Sequence, residues 1–249
     1  MGYEGSSFYD DDRVFDAYSR LRERAENAND TLERPLILEL LGEVRGHDFL
    51  DLGCGDARLG GELLAIGAAS YLGVDGSQNM VSQAGKALQG TTGRVVRSEL
   101  EKWSYPVAGF SRVCARLSLH YVSDIEQLFE KIHRTLRPGG LFVFSVEHPV
   151  ITSSDLACDE AKQRPAWIVD NYFSRGRRVT RWRGADVVKY HRTVEDYFVA
   201  LQGSGFRVES VRESNPVRSN FQSDETFLLY RRIPLFLFMA ASKAEAPCK

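Results

Sequence analysis

The sequence predicts an α/β fold in which a parallel sheet carries helices on both faces, and three observations predict it. Strand-like and helix-like patterns alternate along most of the chain, and consecutive parallel strands need such crossover helices. The stretch Phe49-Leu50-Asp51-Leu52-Gly53-Cys54-Gly55-Asp56-Ala57-Arg58 runs from an apolar strand into a glycine turn and then a helix. At 249 residues, 43% apolar and 27% charged, the chain can bury a full core and suits one domain with an insertion.

In chain order, residues 12–45 read as polar helix, with Pro35 placed to open a second helix after Thr31 to Arg34. Strand 48–52 follows, then helix 57–67, strand 70–75, helix 77–88, strands 93–97 and 110–116, helix 123–135 and strand 141–146. Arg137-Pro138-Gly139-Gly140 turns a helix end into the apolar run Leu141-Phe142-Val143-Phe144. Residues from about 149 to 192 break the alternation, being rich in aromatic and basic side chains with little periodicity. It resumes with helix 193–203, a Gly203-Ser204-Gly205 turn, strand 206–213 and a last strand near 233–242.

A net charge of −2 gives no global attraction to nucleic acid or anionic membrane. The apolar run Pro234 to Ala241 is too short to span a bilayer and suits a central strand. Asp10-Asp11-Asp12 near the start is unlike a signal peptide. Cys54, Cys114, Cys158 and Cys248 match neither a zinc site nor a disulfide framework, so a cytoplasmic location is expected.

The glycine loop suits a nucleoside ligand. Gly53 allows the sharp turn and Gly55 lets a ligand approach the backbone. Where dinucleotide folds place a third glycine this chain has Arg58, which weakens the case for a pyrophosphate. Asp51 sets a carboxylate where an ammonium would sit well. S-adenosylmethionine (SAM) carries that ammonium and no phosphate. Asp75, ending the second strand, is placed to accept ribose hydroxyls.

With these residues the chain resembles the class I SAM-dependent methyltransferases, which implies a Rossmann-like, seven-stranded, mostly parallel sheet. The likeness extends over Asp51 to Gly55, Asp75 with Gly76-Ser77, Ser98-Glu99-Leu100-Glu101, and Leu136 to Gly140. It implies adenine contacts at Glu99 and the Leu100 amide. Phe110-Ser111 departs from the family's frequent Phe-Asp. Within the family the chain is similar to bacterial small-molecule enzymes that share Tyr18-Ser19-Arg20-Leu21-Arg22, Glu147-His148-Pro149 and a later aromatic insertion. The expected cofactor contacts are therefore Tyr18, Arg22, Asp51, Gly53, Cys54, Gly55, Asp75, Gly76, Ser77, Met80, Glu99, Leu100 and Arg116. Tyr18 and Arg22 lie four apart on one helical face, with Arg22 suited to the SAM carboxylate.

Ligands of open parallel sheets lie beyond the carboxyl ends of the strands, which selects Arg116 to Tyr121 and Glu147 to Pro149. Methyl transfer needs an oriented, unprotonated nucleophile and a base only when that nucleophile carries a proton. Glu147, His148, Tyr190, His191 and His120 are the candidates. Between Lys162 and Arg192 nine Lys or Arg residues face two acids, Asp170 and Asp186, among aromatics including Trp167, Tyr172, Phe173, Trp182 and Tyr190. Such a cover suits an aromatic or anionic small molecule.

One domain spanning 1–249 is expected, with a helical lid over about 8–45 and a substrate cap over about 149–192. Ala115-Arg116-Leu117-Ser118 is unlike the motif of base-amino DNA methyltransferases, RNA is disfavoured by the charge, and no metal is expected because Arg116 stands where a metal site would need an acid. The expected activity is metal-independent methyl transfer to an N or O nucleophile in specialised metabolism. The alternatives are cyclisation of SAM on the same scaffold and SAM binding without catalysis.

Overall fold

The structure is a computed structural model that describes residues 3–24, 26–154, 166–182 and 185–246. After a 3-10 turn at Gly5–Asp10, helix α1 spans Asp12–Arg22; a π-helical turn at Asn29–Glu33 leads into α2, Arg34–Leu41. Pro35 sits in the first turn of α2, where its missing N–H costs nothing. Then come β1 (Asp48–Leu52), α3 (Arg58–Ala65), β2 (Ser70–Asp75), α4 (Gln78–Ala87), β3 (Arg94–Arg97), β4 (Phe110–Arg116), α5 (Ile125–Thr135) and β5 (Leu136–Glu147). The remaining elements are α6 (Pro149–Thr152), β6 (Gly176–Trp182), β7 (Ala185–His191), α7 (Val194–Gly203), β8 (Arg207–Glu213), α8 (Asp224–Tyr230) and β9 (Phe236–Ser242).

The main sheet has the order β3-β2-β1-β4-β5-β9-β8. Strands β1 to β5 are parallel, while β9 runs antiparallel between β5 and β8. It is a seven-stranded, mostly parallel α/β sheet. Central strands are buried on both faces, so their sequences read as near-continuous apolar runs; β9 is buried from Phe236 to Ala241. One apolar cluster joins α5 and α7 to one face, around Phe129, Phe142, Phe144 and Tyr197. A second joins α2, α3 and α4 to the other, around Ile37, Phe49, Leu63 and Phe238.

Strand order reverses direction between β1 and β4, which opens a crevice beyond their carboxyl ends. The residues read as aperiodic, 149–192, contain α6 and an antiparallel β6–β7 hairpin; residues 155–165 of that stretch, with Lys162, lie outside the described residues, as do Cys158 and Cys248. Tyr3 bridges Val187 of the hairpin, so the N-terminal segment and β7 meet on the same side of the sheet. Phe8, Val14 and Val187 share a small buried cluster there.

Candidate active site

A cavity of about 820 Å³ occupies the crevice. That is toward the upper end of small-molecule sites, roughly 300–1,000 Å³. At one end the β1–α3 loop forms its floor. Gly53 adopts φ +75, and a Cβ there would lie 2.3 Å from that of Ser118, so the turn needs glycine. Asp75 ends β2 with one oxygen accepting from the Gly55 amide and the other from the Ser77 amide, both at 2.9 Å. Burial raises its pKa, and those two amides oppose the rise. Ser77 caps α4 through its hydroxyl, which accepts from the Met80 amide at 3.2 Å. Gly76 admits the N-terminal segment: a Cβ would sit 2.1 Å from the Ser6 hydroxyl.

Asp51 lies one layer deeper. Tyr71 donates to one of its oxygens at 2.7 Å, and Gly60 on α3 makes room for that ring, since a Cβ there would lie 2.4 Å from it. The other oxygen, Oδ1, is buried with no N–H or O–H donor, and the weakly donating Cys114 thiol lies against the carboxyl. Burial pushes the Asp51 carboxyl up to about 6, against the pull of Tyr71 and Arg116.

Of the expected cofactor contacts, Tyr18, Gly53, Gly55, Asp75, Gly76, Met80, Glu99, Leu100 and Arg116 line the cavity. Asp51, Cys54, Ser77 and Arg22 do not. The Cys54 thiol turns back against Gly73, leaving only its backbone in the loop. The Arg22 guanidinium is buried against Asn27 at 2.9 Å and Asp30 at 3.1 Å, so it ties α1 to the following turn. Arg116 is gripped from behind by Glu33, whose carboxylate accepts from Nε at 2.9 and 3.0 Å and from Nη2, and Ser145 donates to the same acid.

The other end of the cavity lies over β5. Glu147, His120 and Tyr190 line it together with Tyr9 and Tyr121. Lys189 donates to both Glu147 oxygens at 2.6 and 2.7 Å from a site only 2% exposed. Burial would raise the Glu147 pKa, but Lys189 and His120 outweigh it and hold the carboxyl below its ordinary range. Burial takes His120 down to about 4, so its imidazole is neutral. Its Nδ1 accepts from the Glu147 amide at 3.4 Å, which leaves the proton on Nε2.

The structure does not bring His148 and His191 to the cavity. His148 caps α6 through Nδ1, accepting from the Val150 amide, and its Nε2 reaches Glu213 on β8 at 3.0 Å. His191 is fully buried; Thr152 and the Tyr172 carbonyl meet its two nitrogens at 2.8 Å each. Among the described residues of the insertion, Tyr190 alone lines the cavity. None of the described basic residues lines it: Arg175 pairs with Asp196, Arg178 reaches the Ser153 and Ser174 carbonyls, Arg192 the Val122 and Ser123 carbonyls, and Lys189 lies behind Glu147. Sequence reasoning missed Glu33, Lys189 and Tyr9. Glu33 and Lys189 act through partners 83 and 42 residues away, a relation with no local signal. Among the described residues no three His, Cys, Asp or Glu side chains group as metal ligands, and no helix is long and apolar enough to cross a membrane.

A loop, a strand-end acid and a crevice at the sheet's switch point define a nucleoside-cofactor enzyme of the α/β class. A family model, "Methyltransferase domain", matches residues 50–144. A putative SAM-dependent methyltransferase from Listeria monocytogenes is 31% identical, with a TM-score of 0.80 over 88% of this chain and 100% of that one. A SAM-dependent methyltransferase from Mesorhizobium loti is 34% identical, with a TM-score of 0.78 over 90% of this chain and all of its own. An uncharacterized protein of Haemophilus influenzae is 32% identical over 96% of this chain and 98% of its length. The chain belongs to the class I SAM-dependent methyltransferases.

SAM is therefore the cofactor, and the residues present fit it. The glycine cradle admits a ligand against backbone, the Asp75 carboxylate suits a ribose diol, and Asp51, buried just beneath the loop, sets a carboxylate under the place where an ammonium belongs.

Proposed function

We propose that the protein methylates an N or O nucleophile of a small molecule by a metal-independent in-line displacement. One observation carries this reading: a single cavity runs from Gly55 and Asp75 to Glu147, His120 and Tyr190, so the cofactor end opens directly on a second, polar end. When bound, SAM supplies an electrophilic methyl group. Asp75, the glycine loop and Arg116 bind the nucleoside and amino-acid parts. Glu147 accepts a hydrogen bond from the acceptor and orients its lone pair, while His120 donates through Nε2. Tyr9 and Tyr190 narrow the space and exclude water. Glu147, kept ionised by Lys189, is a weak base, so orientation supplies more of the rate than proton removal.

The N-terminal segment through α1 acts as a lid in this reading, and the hairpin carrying Tyr190 as part of a cap. Incubation with methyl-tritiated SAM and a small-molecule extract tests it. Label should appear in a low-mass product, and Glu147→Gln should keep SAM binding while losing about 10²–10⁴-fold in rate if the acid also takes the proton, less if it only orients. Label in RNA or protein, or rearranged SAM without transfer, overturns it.

A further inference from the structure

Two buried ion pairs border the cavity in opposite senses. In one the cation Arg116 faces in and Glu33 lies behind; in the other the carboxylate of Glu147 faces in and Lys189 lies behind. Arg116 ends β4, beside Asp51 and the glycine loop, where the amino-acid part of the cofactor belongs. Glu147 ends β5, beside His120, Tyr121 and Tyr190, where the acceptor belongs. The acceptor therefore meets carboxylate oxygens, with the balancing ammonium behind them.

The rest of the lining is acidic on balance. Among the described residues six acids line the cavity, Glu4, Asp10, Asp75, Glu99, Glu101 and Glu147, against three basic residues. Each of these three already holds an acid, Arg97 Asp10, Lys102 Glu99 and Arg116 Glu33, and Lys189 balances Glu147, so the excess of acid in the lining comes from Glu4, Asp75 and Glu101. Among the described lining residues a carboxylate or phosphate on the acceptor would find no cation without an acid on it; Arg192, which holds the Val122 and Ser123 carbonyls, lies behind that lining. Both Glu147 oxygens receive the single Lys189 ammonium, and a carboxylate has about four acceptor positions, so capacity remains on its cavity side. Tyrosine faces add attraction for a cation.

We infer that the acceptor subsite takes a small amine: it is drawn in as the ammonium ion, loses one proton to bulk water, and the neutral nitrogen keeps an N–H donating to Glu147, among Tyr9, Tyr121 and Tyr190, with its lone pair free for the methyl carbon. This rests on the proposed function and narrows its substrate class. It differs from the anionic acceptor suggested by the basic composition of the insertion; the described basic residues of that segment do not line the cavity, and Lys162, Arg164 and Arg183 lie outside the described residues.

The test uses the full chain saturated with S-adenosylhomocysteine, titrated calorimetrically with two probes of similar size and opposite charge, 2-phenylethylamine and 3-phenylpropionate. The amine should bind tighter by about tenfold or more, equivalent to about 1.4 kcal/mol. In the double variant Glu147→Gln with Lys189→Met, which removes both buried charges together, that preference should shrink to about threefold or less. Glu147→Gln alone is read the same way if the double variant fails to bind S-adenosylhomocysteine, and the wild-type ratio decides if both fail. Equal binding, tighter binding of the carboxylate, no binding of either probe by the loaded protein, or a preference that survives in the variants overturns the inference. A wild-type chain that does not bind S-adenosylhomocysteine overturns the proposed function instead.

Discussion

Asp51 holds one carboxylate oxygen against a tyrosine hydroxyl and leaves the other buried with no N–H or O–H donor, only the weak Cys114 thiol near the carboxyl. A buried acceptor this poorly paired is costly, and a ligand ammonium would relieve it. With its pKa at about 6, the free protein carries a proton there in mild acid, whereas an ammonium favours the ionised form. Binding of S-adenosylhomocysteine should then weaken as pH falls below about 6, by at most about tenfold per pH unit, and Asp51→Asn should flatten that slope. Calorimetry across this range checks it; an unchanged slope in the variant removes Asp51 from the site. Asp75→Ala should weaken binding by about 1–3 kcal/mol through lost ribose bonds. For His191, full burial and two satisfied nitrogens argue a packing role. His191→Ala should therefore cost about 2–4 kcal/mol of stability with little effect on cofactor affinity, measured by urea unfolding and calorimetry. Asp51 and Asp75 were legible in the sequence because the glycine loop and the strand end are local signals. The Arg116–Glu33 and Glu147–Lys189 pairs were not, since each depends on which distant side chain the fold places behind the first.

The central strands were readable because burial gives compact apolar runs bounded by glycine turns, whereas the exposed edge strands β3 and β8 were readable from their valines set between charged residues. Hairpin β6–β7 was hidden: Arg177, Arg178 and Arg181 interrupt any alternation, and one of its supports is Tyr3, which no window around residue 187 contains. Helix α8, only seven residues long, was missed although Ser223 caps it through the Thr226 amide. The N-terminal segment matters most for function. Asp10 accepts from the Ser77 hydroxyl at 2.7 Å and the Asn79 amide at 3.3 Å, and Tyr3 is hydrogen-bonded to β7. These contacts fasten the segment across the cofactor end, so release should require them to break. Removing the Asp10 carboxylate forfeits about 1–2 kcal/mol of fastening, and Asp10→Ala should speed S-adenosylhomocysteine dissociation by about 5–30-fold. Stopped-flow displacement measures this. An unchanged rate would mean that the ligand leaves by a path that does not lift this segment.

Across the molecule, all five histidines, His47, His120, His133, His148 and His191, are shifted below the ordinary value, and burial is the largest cause at each. A histidine depressed in the folded state binds its proton more readily when unfolded. Between the folded and unfolded pKa values the unfolded chain holds more protons, so stability rises with pH through that window and is lost as pH falls. For His120 the window runs from about 6.5 down to about 4, and the full shift is worth about 3 kcal/mol. Asp51 and Asp75 act in the opposite sense, because burial raises both and lets the folded state keep their protons longer. The histidines outnumber them, and Glu147 and Asp48, both lowered by their partners, add to the loss on acidification. Urea unfolding should therefore give lower midpoints at pH 5 than at pH 7, by about 1–3 kcal/mol in stability. His120→Asn, which keeps an acceptor but cannot titrate, should reduce that difference. Stability that is flat or higher at the lower pH would show that the buried aspartates, not the histidines, set the acid response.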